Sequence, residues 1–187
     1  MKVLIAEDET LIRLDLRELL TRAGLTVCAE AGDGAEAVEL ARSREPDLAI
    51  LDVKMPRLDG IDAARQIVAE RPIPIVIVSA YAEQRLVDRA AEAGVYGYLA
   101  KPFREQDLLP AIATARARFA ELASMREEVV SLEEALAARK SIERAKGLLM
   151  TKEGLTEDAA FARLRRASQV SGRPMRVIAD AVVATLG

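Results

Sequence analysis

The sequence contains no histidine and no tryptophan, and it has a single cysteine, Cys28, among 187 residues. Without histidine the chain cannot build a Ser-His-Asp or Cys-His nucleophile, a zinc site that contains histidine, or a phosphohistidine of its own. One cysteine excludes an internal disulfide framework and is typical of a reducing compartment. These absences exclude the histidine-dependent classes of enzyme.

Long apolar runs are also missing. The longest are of strand length, far below the about 20 residues that cross a bilayer, and acidic residues Glu7 and Asp8 come too early for a signal peptide. Hydrophobic residues nevertheless make up 51% of the chain, which is enough for a full core. We therefore expect a cytoplasmic protein with no membrane partner.

Charge is distributed unevenly along the chain. Residues 139–187 contain 10 Lys and Arg against 5 Asp and Glu, whereas the remainder contains 17 basic and 25 acidic residues. An acidic front and a basic tail indicate two modules with different partners. The predicted organisation is a first domain over 1–118, a helical connector over 119–138 and a small domain over 139–187.

Short apolar strands alternate with amphipathic helices in the first 110 or so residues. Strands are predicted at 2–6, 25–29, 48–52, 73–78 and 96–100. Helices are predicted at 11–23, 34–44, 61–70 and 83–93, the second of them started by a capping box of Asp33 and Glu36. Regular alternation of this kind predicts an α/β fold, a doubly wound parallel sheet of five strands with right-handed crossovers.

A long helix is predicted from about residue 105 to 150. It carries an apolar stripe at intervals of three and four residues, made of Phe119, Leu122, Met125, Val129, Leu132 and Leu136. Such a heptad-like stripe favours a parallel homodimer, and the alternative is a last helix that folds back on its own sheet. Beyond it, Gly154, Thr156, Gly172 and Pro174 punctuate a small bundle of three helices.

Asp52 is the candidate reactive residue. It ends the buried run Leu48–Asp52, and Glu7, Asp8, Ser79 and Lys101 also follow predicted strands, so one edge of the sheet collects them all. Clustered carboxylates suit Mg²⁺, while Lys101 supplies a fixed positive charge and Ser79 a hydroxyl for a phosphoryl oxygen. The constellation predicts that Asp52 attacks a phosphoryl donor; a structural ion-pair cluster is the alternative.

A series of separated motifs resembles the receiver domain of two-component systems. The matching residues are Glu7-Asp8, Asp52, Met55-Pro56-x-x-Asp59-Gly60, Ser79-Ala80, Tyr98 and Lys101-Pro102. The resemblance implies a flavodoxin-like fold, phosphorylation of Asp52 by a histidine kinase, and Mg²⁺ held by Glu7, Asp8, Asp52 and the backbone carbonyl of Lys54. It also implies that Ser79 and Tyr98 act as switch residues and that the Lys101–Pro102 peptide is cis. Glu7 stands where aspartate is commoner.

Two enzyme classes compete with this interpretation. The pattern Gly32-x-Gly34-x-x-Ala37 superficially matches a dinucleotide fingerprint, but it follows the second strand and leaves Lys101 without a role. The simpler explanation is a tight turn into the next helix. A haloacid-dehalogenase-like phosphatase would need an aspartate two residues after Asp52, where Lys54 stands. We therefore expect no enzymatic activity beyond formation and slow loss of an aspartyl phosphate.

Basic residues cluster in the tail. Arg139, Lys140, Arg144 and Lys146 fall within about two turns, and Arg163, Arg165 and Arg166 fall on the next helix. Such clusters suit nucleic-acid phosphates, although a solvated helix face looks the same. Phe161 is the only aromatic residue after Phe119, and its spacing from Leu164 predicts a core position.

The tail also resembles the ANTAR domain of transcription antitermination regulators. The resemblance is carried by Ile142-x-x-Ala145-Lys146-Gly147-x-Leu149-Met150, by Ala160-Phe161-x-x-Leu164-Arg165-x-x-Ser168 and by Val177-Ile178-Ala179. It implies binding of RNA hairpins in nascent transcripts, with Lys146, Arg144, Arg165 and Arg166 as candidate contacts. Two alternatives remain: a DNA-binding helix-turn-helix regulator, and a protein-interaction adaptor without a nucleic-acid ligand.

Overall fold

The computed structural model describes residues 1–80 and 84–187. The strands are β1 (Lys2–Ala6), β2 (Thr26–Ala31), β3 (Leu48–Asp52), β4 (Ile75–Ser79) and β5 (Gly97–Ala100). The helices are α1 (Thr10–Arg22), α2 (Gly34–Arg44), α3 (Gly60–Glu70), α4 (Gln84–Glu92), α5 (Glu105–Glu153), α6 (Glu157–Ser171) and α7 (Met175–Leu186). The predicted fold class is confirmed; Glu83, the predicted first residue of α4, lies outside the described residues.

The sheet has the order β2-β1-β3-β4-β5, and all four pairs of neighbours are parallel. Because side chains alternate along each strand, Ile5, Ile50 and Val76 pack beneath α1 and the start of α5. Leu4 and Leu51 point the other way, toward α2, α3 and α4. The chain reverses its direction of winding between β1 and β3, so a crevice opens where their carboxyl ends meet.

Three strands begin later than predicted, and β2 and β4 also end later, at Ala31 and Ser79. Leu25 donates its N–H to the carbonyl of Leu20, which makes it part of the turn after α1 and delays β2 to Thr26. Pro74 has no N–H to give to the sheet, and β4 begins one residue later. At β5, Tyr96 precedes the strand and Gly97 is its first residue.

The chain divides into two compact units, Met1–Ala123 and Ser124–Gly187, with the division inside α5. In the second unit the carboxyl-terminal part of α5 packs with α6 and α7 around Ala145, Leu149, Ala160, Leu164 and Ala179. Thr156 caps α6, Gly172 ends it in a left-handed conformation, and Pro174 precedes α7. The first helix of the predicted three-helix bundle is therefore the carboxyl-terminal part of α5.

The apolar stripe of α5 is largely uncovered. Met125, Val129, Leu132 and Leu136 are each more than half exposed, and Leu122 is 39% exposed. Only Phe119, at the amino-terminal end of the stripe, has an aromatic partner: its ring lies edge-on to Tyr96 with 5.6 Å between centroids. The homodimer and the alternative in which this segment folds back on the sheet both stay predictions.

Candidate functional site

Asp52, Glu7 and Lys101 meet at the carboxyl edge of the sheet. The register pairs Ala6 with Leu51, so the residues that follow them, Glu7 and Asp52, lie side by side. Lys101 follows β5, and its Nζ lies 2.7 Å from Asp52 Oδ1 and 2.6 Å from Glu7 Oε2. All three side chains are at most 15% exposed. Residues 94 positions apart in the sequence thus form one charged centre.

Asp8 completes an acidic set at this edge. One carboxylate oxygen each from Glu7, Asp8 and Asp52 lies within 4.8 Å of the others. Asp8 is exposed and the other two are buried, so the set is open to solvent on one side. Lys101 pairs with two of these three carboxylates, and an all-oxygen set with an open side fits a hydrated divalent cation such as Mg²⁺.

The buried charges perturb each other. Burial, helped by the neighbouring charge of Asp52, raises the pKa of Glu7 despite its hydrogen bond from Lys101. Burial would by itself lower the pKa of Lys101, but hydrogen bonds to Asp52 and Glu7 outweigh it and raise that pKa. Lys101 therefore remains a cation, and the excess negative charge of the site stays with the carboxylates.

The other predicted site residues, Ser79, Tyr98 and Lys54, lie on three different segments of the first unit. Ser79 ends β4 and is buried, and its carbonyl accepts the Lys101 N–H at 2.8 Å. Tyr98 is half-buried on β5, opposite Ile77. Lys54 is exposed in the loop that follows β3. The Lys101–Pro102 peptide is cis, as the resemblance implied.

Two glycines shape the loop that follows β3. A Cβ on Gly60 would lie 1.9 Å from the carbonyl oxygen of Asp52, and one on Gly34 would lie 2.3 Å from that of Leu58. Both glycines therefore allow close packing of backbone, and Asp33, which directly precedes Gly34, caps α2. This explains the Gly32-x-Gly34 pattern without a nucleotide. In the predicted capping box the Glu36 carboxylate would accept the N–H of Asp33. In the structure it accepts the N–H of Gly32.

Two contacts of the site were not anticipated from the sequence. A guanidinium nitrogen of Arg13 on α1 donates to the carbonyl of Glu7 and so holds the chain beside the acidic set. Arg57, in the left-handed region at φ 64°, pairs with Asp33. Neither contact has a sequence signature, because any long cationic side chain on a neighbouring element can reach a carbonyl or a carboxylate.

The four predicted RNA contacts divide into two kinds. Arg144, Arg165 and Arg166 are exposed on α5 and α6. Lys146 is instead largely covered, with a side chain only 10% exposed, and its Nζ lies 2.6 Å from Glu157 and 3.1 Å from Glu143. These two carboxylates raise the pKa of Lys146. The Lys146 ammonium group already has partners, whereas the three arginines present their guanidinium groups to solvent.

The expected core position of Phe161 is wrong. Ala160 and Leu164 are buried in the centre of the bundle, but Phe161 is 42% exposed. In α6 a residue next to a core position is rotated by about 100°, so Phe161 lies at the margin of the buried stripe. Gly147, another residue of the motif, is also exposed.

The parallel sheet and the acidic crevice at its carboxyl edge are those of a receiver domain. Residues 3–113 match the family described as response regulator receiver domain, and residues 131–183 match the ANTAR domain. The chain belongs to the response regulator receiver family, and it carries an ANTAR output domain. Among the described residues, no helix is both long and apolar enough to span a membrane.

Particular relatives narrow this class. The chain is 52% identical over 186 residues to the transcriptional regulatory protein PdtaR of Mycobacterium tuberculosis. This alignment covers 100% of this chain and 91% of PdtaR. It is 36% identical over 112 residues to the chemotaxis protein CheY of Thermotoga maritima, covering 59% of this chain and 93% of CheY.

Solved structures resemble the first unit. The receiver domain of the response regulator NarL from M. tuberculosis aligns with a TM-score of 0.58 at 32% identity, covering 60% of this chain and 92% of that one. CheY of Borrelia burgdorferi, in a complex with CheX, BeF₃ and Mg²⁺, aligns with a TM-score of 0.58 at 26% identity, covering 60% of this chain and 86% of that one.

Proposed function

We propose that this response regulator accepts a phosphoryl group on Asp52 from a sensor histidine kinase and binds RNA hairpins through its ANTAR domain, causing transcription antitermination in the cytoplasm. The observation that carries the first half is the bridge of Lys101 between the buried carboxylates of Asp52 and Glu7. The second half rests on the ANTAR match and on the exposed arginines of that domain.

The chemistry of Asp52 follows from its hydrogen bonds. Lys101 holds Oδ1, so the second carboxylate oxygen, Oδ2, attacks phosphorus. An O–P bond forms and the N–P bond of the donor phosphohistidine breaks, with its electron pair returning to the imidazole of the kinase. Lys101 then stabilises the added negative charge. The acyl phosphate is lost slowly to water, so the chain turns over no external substrate.

Mg²⁺ is the proposed cofactor. Glu7, Asp8 and Asp52 would hold it, together with the carbonyl of Lys54, and when bound it neutralises charge on the phosphoryl oxygens. The Glu7 side chain has one more methylene than that of aspartate, and its Oε2 is held by Lys101. This arrangement keeps the Glu7 carboxylate oriented before any cation arrives.

A cleft beside the site suits the approach of a phosphodonor protein. It has a volume of about 630 Å³ and runs from Lys101 and Phe103 to Ile12 and Leu19 of α1. Leu11, at the start of the same helix, is 77% exposed. After phosphorylation, Ser79 is proposed to bond a phosphoryl oxygen, and Tyr98 to shift with it, which changes the surface around α4 and β5.

Dimerisation is the proposed link between the two domains. The stripe of α5 exposes five large apolar side chains, from Leu122 to Leu136, in one uninterrupted helix. A second copy of the same helix would bury them in a parallel pair. Phosphorylation is proposed to favour this homodimer and thereby RNA binding. A phosphoryl-mimic treatment that changed neither oligomeric state nor RNA affinity would contradict this coupling.

The phosphorylation half is tested by Asp52→Asn. Wild-type protein incubated with Mg²⁺ and a small radiolabelled phosphodonor is expected to incorporate label, and the variant to incorporate none. Asp59→Asn is the matched control, because the Asp59 carboxylate caps α3 by accepting the Asp62 N–H and a hydrogen bond from Arg89, and it is not part of the acidic set. Label that persists in Asp52→Asn would rule out this residue as the acceptor.

The output half is tested by filter binding across a salt series. The probes are a structured RNA hairpin and a DNA duplex of matched length. Tighter binding of RNA supports the proposal; tighter binding of duplex DNA would favour a helix-turn-helix regulator. Binding of neither would leave a protein-interaction adaptor.

A further inference from the structure

Gly147 is unusual among the helical residues of the second unit. It lies inside α5, where glycine is less favourable than alanine because its backbone loses more conformational freedom. Gly34 and Gly60 are explained by backbone atoms that a Cβ would strike, but a Cβ on Gly147 would meet nothing within 4 Å. Within the described part of the chain, no atom requires glycine at this position.

The neighbours of Gly147 form one exposed surface. Lys140, Arg144, Gly147 and Thr151 are spaced by four, three and four residues, so they follow one line along the helix. All four are exposed, and they lie opposite the buried residue Leu149. We name these four residues the outer face of α5. Thr151 donates its hydroxyl to the Gly147 carbonyl at 2.8 Å, which covers that acceptor.

The outer face carries uncompensated positive charge. Among the residues that the structure describes, neither Lys140 nor Arg144 forms an ion pair. Glu143 borders the same face, but Lys146 holds its carboxylate at 3.1 Å and that of Glu157 at 2.6 Å. The acidic side chains that would repel an anion here are therefore partly neutralised by Lys146.

We propose that the sugar–phosphate backbone of RNA docks on the outer face of α5. Lys140 and Arg144 contact phosphates, and the missing side chain at Gly147 lets the RNA backbone approach the helix closely. Lys146 is a positioning residue, which neutralises Glu143 and Glu157 without touching RNA. The occupant is RNA because the face is cationic and belongs to the proposed RNA-binding domain, so this inference rests on the proposed function.

Gly147→Ala and Gly147→Gln test the close approach. Both side chains favour helix, so each variant is expected to raise the melting temperature by a few degrees. Affinity for an RNA hairpin with a randomised loop is nevertheless expected to fall, about threefold for Ala and about tenfold or more for Gln. Ala184→Gln, on the exposed side of α7, is the matched control and leaves affinity unchanged. Full RNA affinity in Gly147→Gln would overturn the proposal.

The charges are tested by the salt dependence of binding. Lys140→Gln and Arg144→Gln are each expected to reduce the slope of log affinity against log salt by about 1. In Gly147→Gln the slope is expected to stay unchanged, because no phosphate contact is removed. An unchanged slope in both charge variants would overturn the assignment of phosphate contacts to this face.

Lys146 is tested by rescue. Lys146→Gln releases Glu143, so RNA affinity is expected to fall about tenfold, and Glu143→Gln in the same chain is expected to restore most of it. A double variant as weak as Lys146→Gln alone would make Lys146 a direct contact and overturn its positioning role. If wild-type protein does not bind the hairpin at all, the proposed RNA function itself fails, which is distinct from a failure of the outer face alone.

Discussion

The two units place their charged residues in opposite ways. In the first, Glu7, Asp52 and Lys101 are buried and joined across the sheet by contacts of 2.6–2.7 Å. In the second, the basic residues other than Lys146 are exposed on helix surfaces, and the carboxylates that pair with Lys146 are 58% and 66% exposed. The buried charges of the first unit suit the proposed acceptance of one phosphoryl group, whereas the exposed cations of the second suit the proposed binding of an extended polyanion.

The hydrophobic cores of the two units also differ in size. The sheet is covered on both faces, and each of its two clusters contains at least a dozen buried residues. The small bundle has five, of which three are alanine. A rigid first unit holds reacting atoms in place, and a thin bundle of helices leaves most of its surface for a partner. The predictions below test this contrast, beginning with the largest effect.

Lys101→Met is expected to have the largest effect. It leaves the carboxylates of Glu7 and Asp52 buried without their cation, which is expected to lower the free energy of unfolding by about 3 kcal/mol. The rate of phosphorylation by a small donor is expected to fall by about 10² or more. Denaturant unfolding with and without Mg²⁺ measures the first effect, and added Mg²⁺ should stabilise the variant more than wild type.

The comparison for Lys101→Met is Lys146→Met. Its carboxylate partners are mostly exposed, so a clearly smaller loss of stability is expected in the second unit. Adding Asp52→Asn to Lys101→Met removes one of the two repelling charges and should recover part of the loss. Equal losses for the two lysines would contradict the contrast between buried and exposed charge.

Gly60→Ala is expected to destabilise the first unit by about 2 kcal/mol. Its Cβ would strike the Asp52 carbonyl oxygen, so the backbone of the acceptor residue must move. Alanine at Gly147 is expected to stabilise the helix by about 0.5–1 kcal/mol. Thermal unfolding of the two variants therefore gives shifts of opposite sign, and a loss of stability in both would contradict this account of the glycines.

The buried charged centre of the first unit was largely predictable from the sequence. Parallel strands bring their carboxyl ends to one edge, so Glu7, Asp52 and Lys101 were expected together as soon as the strands were recognised. The close approach of Gly60 to Asp52 was not, because it depends on the path of a loop. The contact of Arg13 with the Glu7 carbonyl depends likewise on side-chain reach and leaves no pattern in the sequence.

The second unit was less predictable. Periodicity placed Leu164 in the core correctly but also placed Phe161 there, because a stripe at helical spacing does not fix how wide the buried face is. Lys146 looked like a phosphate ligand because it is basic and belongs to a motif. Its pairing with Glu157 depends on where α6 begins, across the turn that contains Gly154, and charge counting does not reveal it.

The helix caps of the two units are expected to differ in how their contribution to stability depends on pH. These effects are smaller than those above. Asp33→Ala removes the cap of α2 and the partner of Arg57, and is expected to cost about 1–2 kcal/mol at neutral pH. Although burial opposes it, hydrogen bonds from Arg57 and the Glu36 N–H lower the pKa of Asp33 from 3.8. Its contribution is therefore present above pH 3.8 and is lost as the pH falls through the lower, folded-state pKa.

Thr156→Ala is the matched variant in the second unit. The Thr156 hydroxyl accepts the Ala159 N–H at the start of α6, and its loss is expected to cost about 1 kcal/mol. A hydroxyl does not titrate, so this difference from wild type should remain the same at about pH 3 as at pH 7, whereas the cost of Asp33→Ala should be smaller at about pH 3. Urea unfolding at both values measures the two variants; a pH-dependent cost in Thr156→Ala would show that the cap interacts with charged neighbours.

The smallest effect is expected from Arg163→Gln. Arg163 pairs with Glu153, but its side chain is 57% exposed, and such pairs contribute about 0.5 kcal/mol or less because water and salt screen them. The difference from wild type should shrink further in 1 M salt, whereas the cost of Lys101→Met should persist because its partners are shielded from solvent. If Arg163→Gln proved as costly as Lys101→Met, the charges of the second unit would be structural, and fewer of them would be free to meet a polyanion.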